Sequence, residues 1–329
     1  MRVVNKGLSI VVVVCVLLCV SGASTAAPVR VCLDFFANPN HVPLFVAEAL
    51  GYFADEGVEV DLFVPANPSD PVKLAAARAA DVALTPQINY LIARSEGLPL
   101  MAIGALIDQG LGGLLTVEGR GVAEPLDLAG KRIGYALAPL EPILWGTMLD
   151  CVGIDAGDVQ LINVGFSTMQ ALLAGNVDAI GAFRNFEPIQ AEMAGFTPIF
   201  FAQEAYCIPE TYEIIVVAHP DLIAERGDDL AGFLRALARG IAFTREAPDT
   251  AFDLFLMSNP DLNDELNRRA FDETLPLYAD GARHDDVGVW EGMRDYLFAH
   301  GLIGESIPAT ELLTAAWLPE ARPRDEEET

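Results

Sequence analysis

Residues 29–64, VRVCLDFFANPNHVPLFVAEALGYFADEGVEVDLFV, decide the class of fold. Residues 29–35 form a short apolar run that predicts a β-strand, and residues 41–56 space their apolar side chains as an α-helix does. Residues 58–64 alternate apolar and polar side chains, which predicts a second strand. A helix between two strands indicates a parallel βαβ unit, so we expect an α/β fold with a helix-covered sheet.

The same rhythm continues along most of the chain. We predict further strands at 81–84 and 98–107, then a second series at 133–137, 159–164, 178–183, 197–201 and 212–218. From 228 to 317 the pattern is helical, and the charged tail at 319–329 is expected to fray. We therefore predict lobe I at 27–115 and 216–318, lobe II at 116–215, and two crossings that form a hinge beside a central ligand cleft.

Composition limits the possible functions. The 329 residues are 52% hydrophobic, which supplies ample material for a core. Acidic residues outnumber basic ones by 47 to 20, and the formal net charge is −27. A nucleic-acid-binding protein needs a basic surface, so this class is excluded, and binding to anionic membranes is disfavoured.

The N-terminus has the three parts of a secretory signal peptide. Arg2 and Lys6 are followed by an apolar run at 8–20 and by the small residues of SGASTAA at 21–27. The apolar run is too short to span a bilayer. We predict that residues 1–26 are removed, with cleavage after Ala26, and that the mature protein is periplasmic and monomeric.

Neither the cysteines nor the histidines form a recognisable functional set. The predicted mature chain keeps Cys32, Cys151 and Cys207, which allow at most one intrachain disulfide, and we expect three small buried side chains instead. The four histidines lie far apart and have no metal-ligand spacing. The sequence therefore predicts no catalytic residue, no metal and no cofactor.

Residues 33–44, LDFFANPNHVPL, resemble the opening motif LDW-x-PN-x-x-H-x-x-L of a family of periplasmic solute-binding proteins. These proteins deliver pyrimidine precursors of thiamine to ABC importers and are related to the fungal enzymes that make the same pyrimidine. The resemblance continues through 51–60, 67–84, 127–136, GNVDAIGAFRNFE at 175–187, and 263–276. It implies a type II periplasmic-binding-protein fold, a 4-aminopyrimidine ligand and an ABC transporter permease as partner. Phe35 replaces the family's tryptophan and Ala37 its proline.

Candidate ligand contacts in the first lobe follow its first strand. Ligands of open α/β sheets bind beyond the carboxyl ends of the strands, where Asn38 and His41 are expected to lie. An asparagine amide can both donate to and accept from an aminopyrimidine. The alternative is that Asn38 shapes a turn and caps the helix, and that His41 is a structural hydrogen-bonding residue. Phe35 or Phe36, but not both, is expected to stack on the ligand while the other enters the core.

In the second lobe, GAFRNFE at 181–187 ends a predicted strand. We expect Glu187 to bind the amine and a ring nitrogen of the ligand, with Asn185 beside it. The alternative for Glu187 is a purely electrostatic role at the N-terminus of the next helix. Arg184 is expected to pair with Glu187 or Glu213, or to lie on the surface.

Three further candidates lie near the hinge. Tyr212 is either a second stacking ring or a core aromatic, and Glu213 follows it directly. Gln87 follows the strand at 81–84 and is placed to reach the cleft, as is Asn89. Trp145 is expected to pack in the core.

Two other functions compete with pyrimidine binding. The same fold could bind riboflavin, another small heterocycle, a sulfonate or a nitrate-like anion. The fungal synthases carry a cofactor-binding lysine and a histidine where this chain has Thr85 and Asn89, and a cysteine-rich cluster where it has PETYE at 209–213. We therefore predict a binding protein and not an enzyme.

Overall fold

The computed structural model describes residues 27–67, 69–165 and 167–318. The predicted signal peptide and the charged tail lie outside these residues. The strands are β1 Val29–Cys32, β2 Val60–Phe63, β3 Val82–Thr85, β4 Met101–Ile107, β5 Gly112–Val117, β6 Arg132–Tyr135, β7 Gln160–Asn163, β8 Ala179–Phe183, β9 Pro198–Ala202 and β10 Ile214–Ala218.

The α-helices are α1 Val42–Ala49, α2 Tyr52–Asp55, α3 Pro71–Ala76, α4 Gln87–Ser95, α5 Leu140–Cys151, α6 Thr168–Leu173, α7 Glu187–Met193, α8 Pro220–Glu225, α9 Gly227–Glu246, α10 Pro248–Ser258, α11 Glu265–Thr274, α12 Val287–Ala299 and α13 Ala309–Leu312. Within the described residues, no helix combines the length and the apolar character needed to cross a membrane.

The strands form two five-stranded sheets with the same internal order. The first sheet runs β2-β1-β3-β10-β4 and the second runs β7-β6-β8-β5-β9. In each sheet the fourth strand, β10 or β5, directly follows a crossing from the other lobe and pairs antiparallel with both neighbours. The predicted α/β architecture of two lobes linked by two crossings is confirmed.

Helices cover both faces of each sheet. In the first lobe, α1, α9 and α10 supply one apolar cluster, which includes Phe233 and Phe252, and α4 and α12 supply the cluster on the opposite face. In the second lobe, Trp145 and Met148 of α5 pack on one face, while α6 and α7 cover the other. The carboxyl edges of the parallel strands are left for the loops that carry the candidate site.

The lobe boundaries differ from those predicted. Strand β5 lies wholly in the second sheet, so the chain leaves the first lobe at 108–111 and not at residue 115. It returns through 203–213, and β10 begins at Ile214. The glycines at 112 and 113, where no strand was predicted, belong to β5, and a Cβ atom at Gly113 would lie 2.4 Å from the carbonyl oxygen of Phe201. Close pairing of β5 with β9 requires glycine there.

Two predicted elements are shorter in the structure. The first strand ends at Cys32, and residues 34–37 form a bend. The predicted helix at 41–56 is two helices, because Gly51 between α1 and α2 has a left-handed backbone with φ of 73°. Apolar spacing continues across Gly51, so the pattern alone did not reveal the break.

A matching Arg–Asp contact fixes the amino ends of the parallel strands in both lobes. Arg30 of β1 donates to Asp81 through Nε at 3.2 Å and Nη2 at 3.0 Å. Arg132 of β6 donates to Asp178 through the same atoms at 3.1 and 2.9 Å. Each aspartate also accepts from the backbone N–H of its arginine at 2.9 Å. The two lobes thus share one βαβ construction.

The expectation that all three cysteines are unpaired was wrong. Cys151 at the end of α5 is bonded to Cys207 in the second crossing, while Cys32 is a buried free thiol. The two bonded residues are 56 positions apart, so only the tertiary fold brings them together. The disulfide ties a second-lobe helix to a segment that links the lobes.

Candidate functional site

The carboxyl edges of the two sheets face each other. Asn40 follows β1 and Asn185 follows β8, yet the Asn185 side chain donates through Nδ2 to Oδ1 of Asn40 at 2.9 Å. The same Nδ2 donates to Oγ1 of Thr274 in the first lobe at 2.9 Å. Open α/β sheets bind ligands beyond the carboxyl ends of their strands, and here the carboxyl edges of both lobes lie side by side.

Large apolar side chains are exposed at these edges. They follow the parallel strands β1, β2 and β6 or end β8: Phe35, Phe36, Val64, Leu137 and Phe183. The rings of Phe35 and Phe36 meet edge to face at 5.1 Å and remain 43% and 67% exposed. The expectation that one of them enters the core was wrong, because β1 ends before reaching them. Large exposed apolar patches are a common feature of binding surfaces.

Asn38 and His41 hold the loop that carries these rings. Oδ1 of Asn38 accepts from the backbone N–H of Asn40 at 2.9 Å, and its backbone N–H donates to Nδ1 of His41 at 3.2 Å. Because Nδ1 accepts, the ring proton sits on Nε2, which donates to Oδ1 of Asp34 at 2.8 Å. His41 is fully buried. The capping and structural roles weighed for these two residues are therefore present in the structure.

Glu187 stands at the start of α7, where Oε2 accepts the backbone N–H of Phe183 at 2.8 Å. Burial raises the pKa of this carboxyl, and the backbone hydrogen bond partly opposes that rise. The position fits both alternatives for Glu187, a ligand contact and a charge at a helix N-terminus.

The sequence analysis missed a matching carboxylate. Glu141 stands in the first turn of α5, and its Oε2 accepts the backbone N–H of Ala136 at 2.8 Å. Burial raises its pKa as well. Each glutamate precedes a proline, in LEP at 140–142 and FEP at 186–188. That repeated Glu-Pro after a parallel strand is the signal that could have revealed Glu141.

Glu213 connects the two crossings. Its Oε2 accepts from the backbone N–H of Leu111 at 2.8 Å. Burial raises the pKa of Glu213 to about 7, with Asp34 adding to the rise and Arg184 opposing it. Arg184 itself forms an ion pair with Glu204 at 2.6 Å and not with either predicted partner.

Gln87 and Tyr212 lie behind this edge. Oε1 of Gln87 accepts from the Thr211 hydroxyl at 2.7 Å and from the backbone N–H of Tyr212 at 3.1 Å. Its buried Nε2 has no partner among the described residues. The Tyr212 ring packs against Trp290, and its hydroxyl accepts from the backbone N–H of Asp286 at 3.1 Å. Tyr212 therefore occupies the core position that was weighed for it.

The described residues contain no group of three or more side chains that could bind a metal ion. The arrangement consists of exposed aromatic and aliphatic side chains beside hydrogen-bonding carboxyl and amide groups. Such a surface can hold a flat polar ligand.

Comparison with known proteins identifies the family. Residues 38–251 match the model described as NMT1/THI5 like. The chain belongs to the NMT1/THI5-like family. A protein of Haemophilus influenzae named for thiamine biosynthesis is 34% identical over 86% of this chain and 90% of its own length.

Other members of the family carry two kinds of name. A formylaminopyrimidine-binding protein of Halalkalibacterium halodurans is 30% identical over 87% of this chain and 89% of its own length. A protein of Legionella pneumophila named 4-amino-5-hydroxymethyl-2-methylpyrimidine phosphate synthase is 26% identical over 91% of this chain and 94% of its own length. The NMT1/THI5-like family thus includes both binding proteins and synthases.

Solved structures confirm the fold. The periplasmic aliphatic sulphonate binding protein of Escherichia coli superposes with a TM-score of 0.69, at 13% identity, over 86% of this chain and 96% of its own. The alkanesulfonate-binding protein of Xanthomonas axonopodis gives 0.67 at 13% identity, over 88% and 99%. This NMT1/THI5-like protein has the periplasmic-binding-protein fold.

Proposed function

We propose that this protein is the extracytoplasmic solute-binding component of an ABC importer and that it captures a 4-aminopyrimidine precursor of thiamine between its lobes. The observation that carries the proposal is the region where the carboxyl edges of the two sheets face each other, which we call the joint edge. There exposed Phe35, Phe36 and Phe183 lie with the half-buried carboxyls of Glu187 and Glu141. The rings offer stacking surfaces for a flat heterocycle, and a carboxylate can accept from its exocyclic amine. The binding-protein relative from Halalkalibacterium halodurans supports this choice of ligand.

Two observations support an extracytoplasmic location. Residues 1–26 have the charge, apolar run and small residues of a secretory signal. The Cys151–Cys207 disulfide suits an oxidising compartment. Intact-mass analysis of the exported protein should show a start at Ala27, and a retained Met1 would contradict the location.

The other candidate functions fit less well. Glu141, Glu187, Glu213 and Asp34 gather negative charge at the joint edge, and Arg184 is already paired with Glu204, so a sulfonate or nitrate-like anion is disfavoured. A synthase is disfavoured because Thr85 stands where the fungal enzymes carry their cofactor-binding lysine. Thr85 ends β3 and is buried.

Isothermal titration calorimetry tests the ligand. We expect 4-amino-5-hydroxymethyl-2-methylpyrimidine or its formylaminomethyl relative to bind, and riboflavin and methanesulfonate not to bind. Loss of a charged hydrogen-bond partner costs about 1.5–3 kcal/mol, so Glu187→Gln should weaken binding roughly ten- to a hundredfold. Phe35→Trp should preserve or strengthen it. If the wild-type protein binds neither aminopyrimidine in the titration, the proposal is overturned.

A further inference from the structure

We propose that Glu141 is a second ligand-binding carboxylate and that Trp145 supplies a hydrogen-bond donor beside it. Together with Glu187, these groups of the second lobe would recognise the amino edge of an amino-substituted nitrogen heterocycle. This inference rests on the proposed function and adds to it the residues that select the ligand.

Glu141 and Trp145 meet beside Gly181 of β8, and Glu187 begins the helix that follows this strand. The Cβ position of Gly181 lies 3.3 Å from Oε2 of Glu141 and 2.6 Å from Cζ2 of the Trp145 ring. The ring carbon Cε2, which is bonded to Nε1, is 3.2 Å from the same point. Glu187 is anchored on the backbone N–H of Phe183, two residues further along β8 than Gly181.

The protein leaves the hydrogen-bonding capacity of these groups partly unused. Each glutamate commits Oε2 to a backbone N–H at 2.8 Å. The backbone N–H of Leu137 also lowers the pKa of Glu141, and that of Glu187 lowers its own, but within the part of the chain that the structure describes neither forms a hydrogen bond of good geometry. Trp145 is only 3% exposed. Its Nε1–H lies close enough to Glu141 to lower the pKa of that carboxyl, but it forms no hydrogen bond of good geometry among the described residues. A buried donor without a partner destabilises the protein, and an acceptor on a ligand would recover that free energy.

The electrostatics agree with this geometry. Burial raises the pKa of both carboxyls, and the charge of Glu141 raises the pKa of Glu187 further. Two neighbouring carboxyls favour a ligand edge that donates hydrogen bonds and disfavour one that presents an oxygen atom.

A 4-aminopyrimidine has the complementary edge. Its exocyclic amine carries two N–H donors, one for each carboxylate, and the adjacent ring nitrogen is an acceptor that suits the indole N–H. A 4-oxopyrimidine would place its carbonyl oxygen against the two carboxylates. We therefore assign the preference for amino over oxo heterocycles to Glu141 as well as Glu187.

The test compares two probes on three proteins. Wild type, Glu141→Gln and the control Glu118→Gln are titrated with 4-amino-5-hydroxymethyl-2-methylpyrimidine and with its 4-oxo analogue. Glu118 is exposed beyond the carboxyl end of β5, which runs antiparallel to β8, so it lies at the opposite edge of the sheet. Glutamine keeps an oxygen for the N–H of Ala136, so Glu141→Gln should retain the local fold.

We expect Glu141→Gln to weaken binding of the amino probe about tenfold or more and to reduce the amino-over-oxo preference, because a carboxamide can donate to the oxo oxygen. Glu118→Gln should match wild type. Wild-type affinity and preference in Glu141→Gln would overturn the inference, whereas failure of the wild-type protein to bind the amino probe would overturn the proposed function instead.

Trp145→Phe provides an independent measurement, because it removes the N–H and retains an aromatic ring against Gly181. We expect severalfold weaker binding of the amino probe with the thermal unfolding midpoint recorded in parallel. Unchanged affinity in a folded Trp145→Phe protein would contradict the role given to the indole.

Discussion

Asn185 of the second lobe donates a hydrogen bond to Asn40 of the first lobe across 2.9 Å. Its Nδ2 uses its other hydrogen on Thr274, so both amide donors serve contacts between the lobes. On the other side of the molecule, Thr147 of α5 and Tyr296 of α12 share a hydrogen bond at 2.7 Å. Asn185 was expected to contact the ligand, and its two hydrogen bonds join the lobes. Its role towards a ligand stays a prediction.

Asn185→Ala should therefore favour an open arrangement. The substitution removes two hydrogen bonds, worth about 1 kcal/mol each, that form only when the lobes are together. We expect a larger radius of gyration in small-angle X-ray scattering without ligand, and up to about thirtyfold weaker binding, because closure then costs about 2 kcal/mol more free energy. Asn176→Ala, an exposed change in the same lobe, is the control. Identical scattering curves for the two variants would contradict a closing role for Asn185.

The Cys151–Cys207 disulfide should contribute strongly to stability. It closes a loop with a sequence separation of 56, for which chain entropy gives about 4 kcal/mol. We expect Cys151→Ser to lower the denaturant midpoint clearly, and dithiothreitol to lower the midpoint of wild type but not of the variant. Alkylation of the denatured mature protein should add one label at Cys32 before reduction and three after it. Three labels without reductant would contradict the disulfide.

Glu213 should make stability fall as pH rises. Burial raises its pKa in the folded protein to about 7, whereas the unfolded chain has the ordinary value near 4.3. Between about pH 4.3 and 7 the Glu213 carboxyl is protonated in the folded protein and ionised in the unfolded chain. Its contribution to the free energy of unfolding is therefore complete at low pH and is lost as the pH rises to about 7. Glu213→Gln should reduce this loss between pH 5 and 8 by about 1–3 kcal/mol.

Chemical unfolding at pH 5, 6, 7 and 8 measures this effect. Asp108 in the first crossing has its pKa raised to about 6 by burial and contributes a loss of the same sign, so some pH dependence should remain in Glu213→Gln. Glu210→Gln, an exposed change in the second crossing, which also contains Glu213, should behave as wild type. Parallel curves for wild type and Glu213→Gln would show that Glu213 does not titrate in this range.

Asp178 should have the opposite pH dependence. Its hydrogen bonds from Arg132 lower its pKa, so it stabilises the fold above the ordinary aspartate value near 3.9, and that stabilisation is lost as pH falls through the lower folded value. Asp178→Asn should cost about 1–2 kcal/mol at pH 7 and less in acid. The exposed Asp150→Asn in the same lobe is the comparison. Equal loss at pH 7 and pH 3 would mean that the charge does not matter.

Local patterns predicted much of the fold because most strands and helices here have regular apolar spacing. The strand–helix–strand unit at 29–64 is an example, since its periodicity survives in β1, α1 and β2. The boundaries were less accurate, because a run such as GGLLTV at 112–117 has the same local pattern whichever sheet it joins. Pairing with β8 and β9 placed it in the second lobe.

The candidate site shows the same division. From the sequence alone, residues 38–41 and 181–187 could be placed after strands, and the family resemblance could be recognised from LDFFANPNHVPL and GAFRNFE. Only the tertiary structure decided which of these side chains bond to each other: Asn185 to Asn40, His41 to Asp34, and Arg184 to Glu204. It also placed Glu141 and Trp145 beside Gly181, and Cys151 against Cys207. Hydrogen bonds, burial and disulfides depend on distances between residues remote in sequence, and those distances exist only after the sheets have assembled.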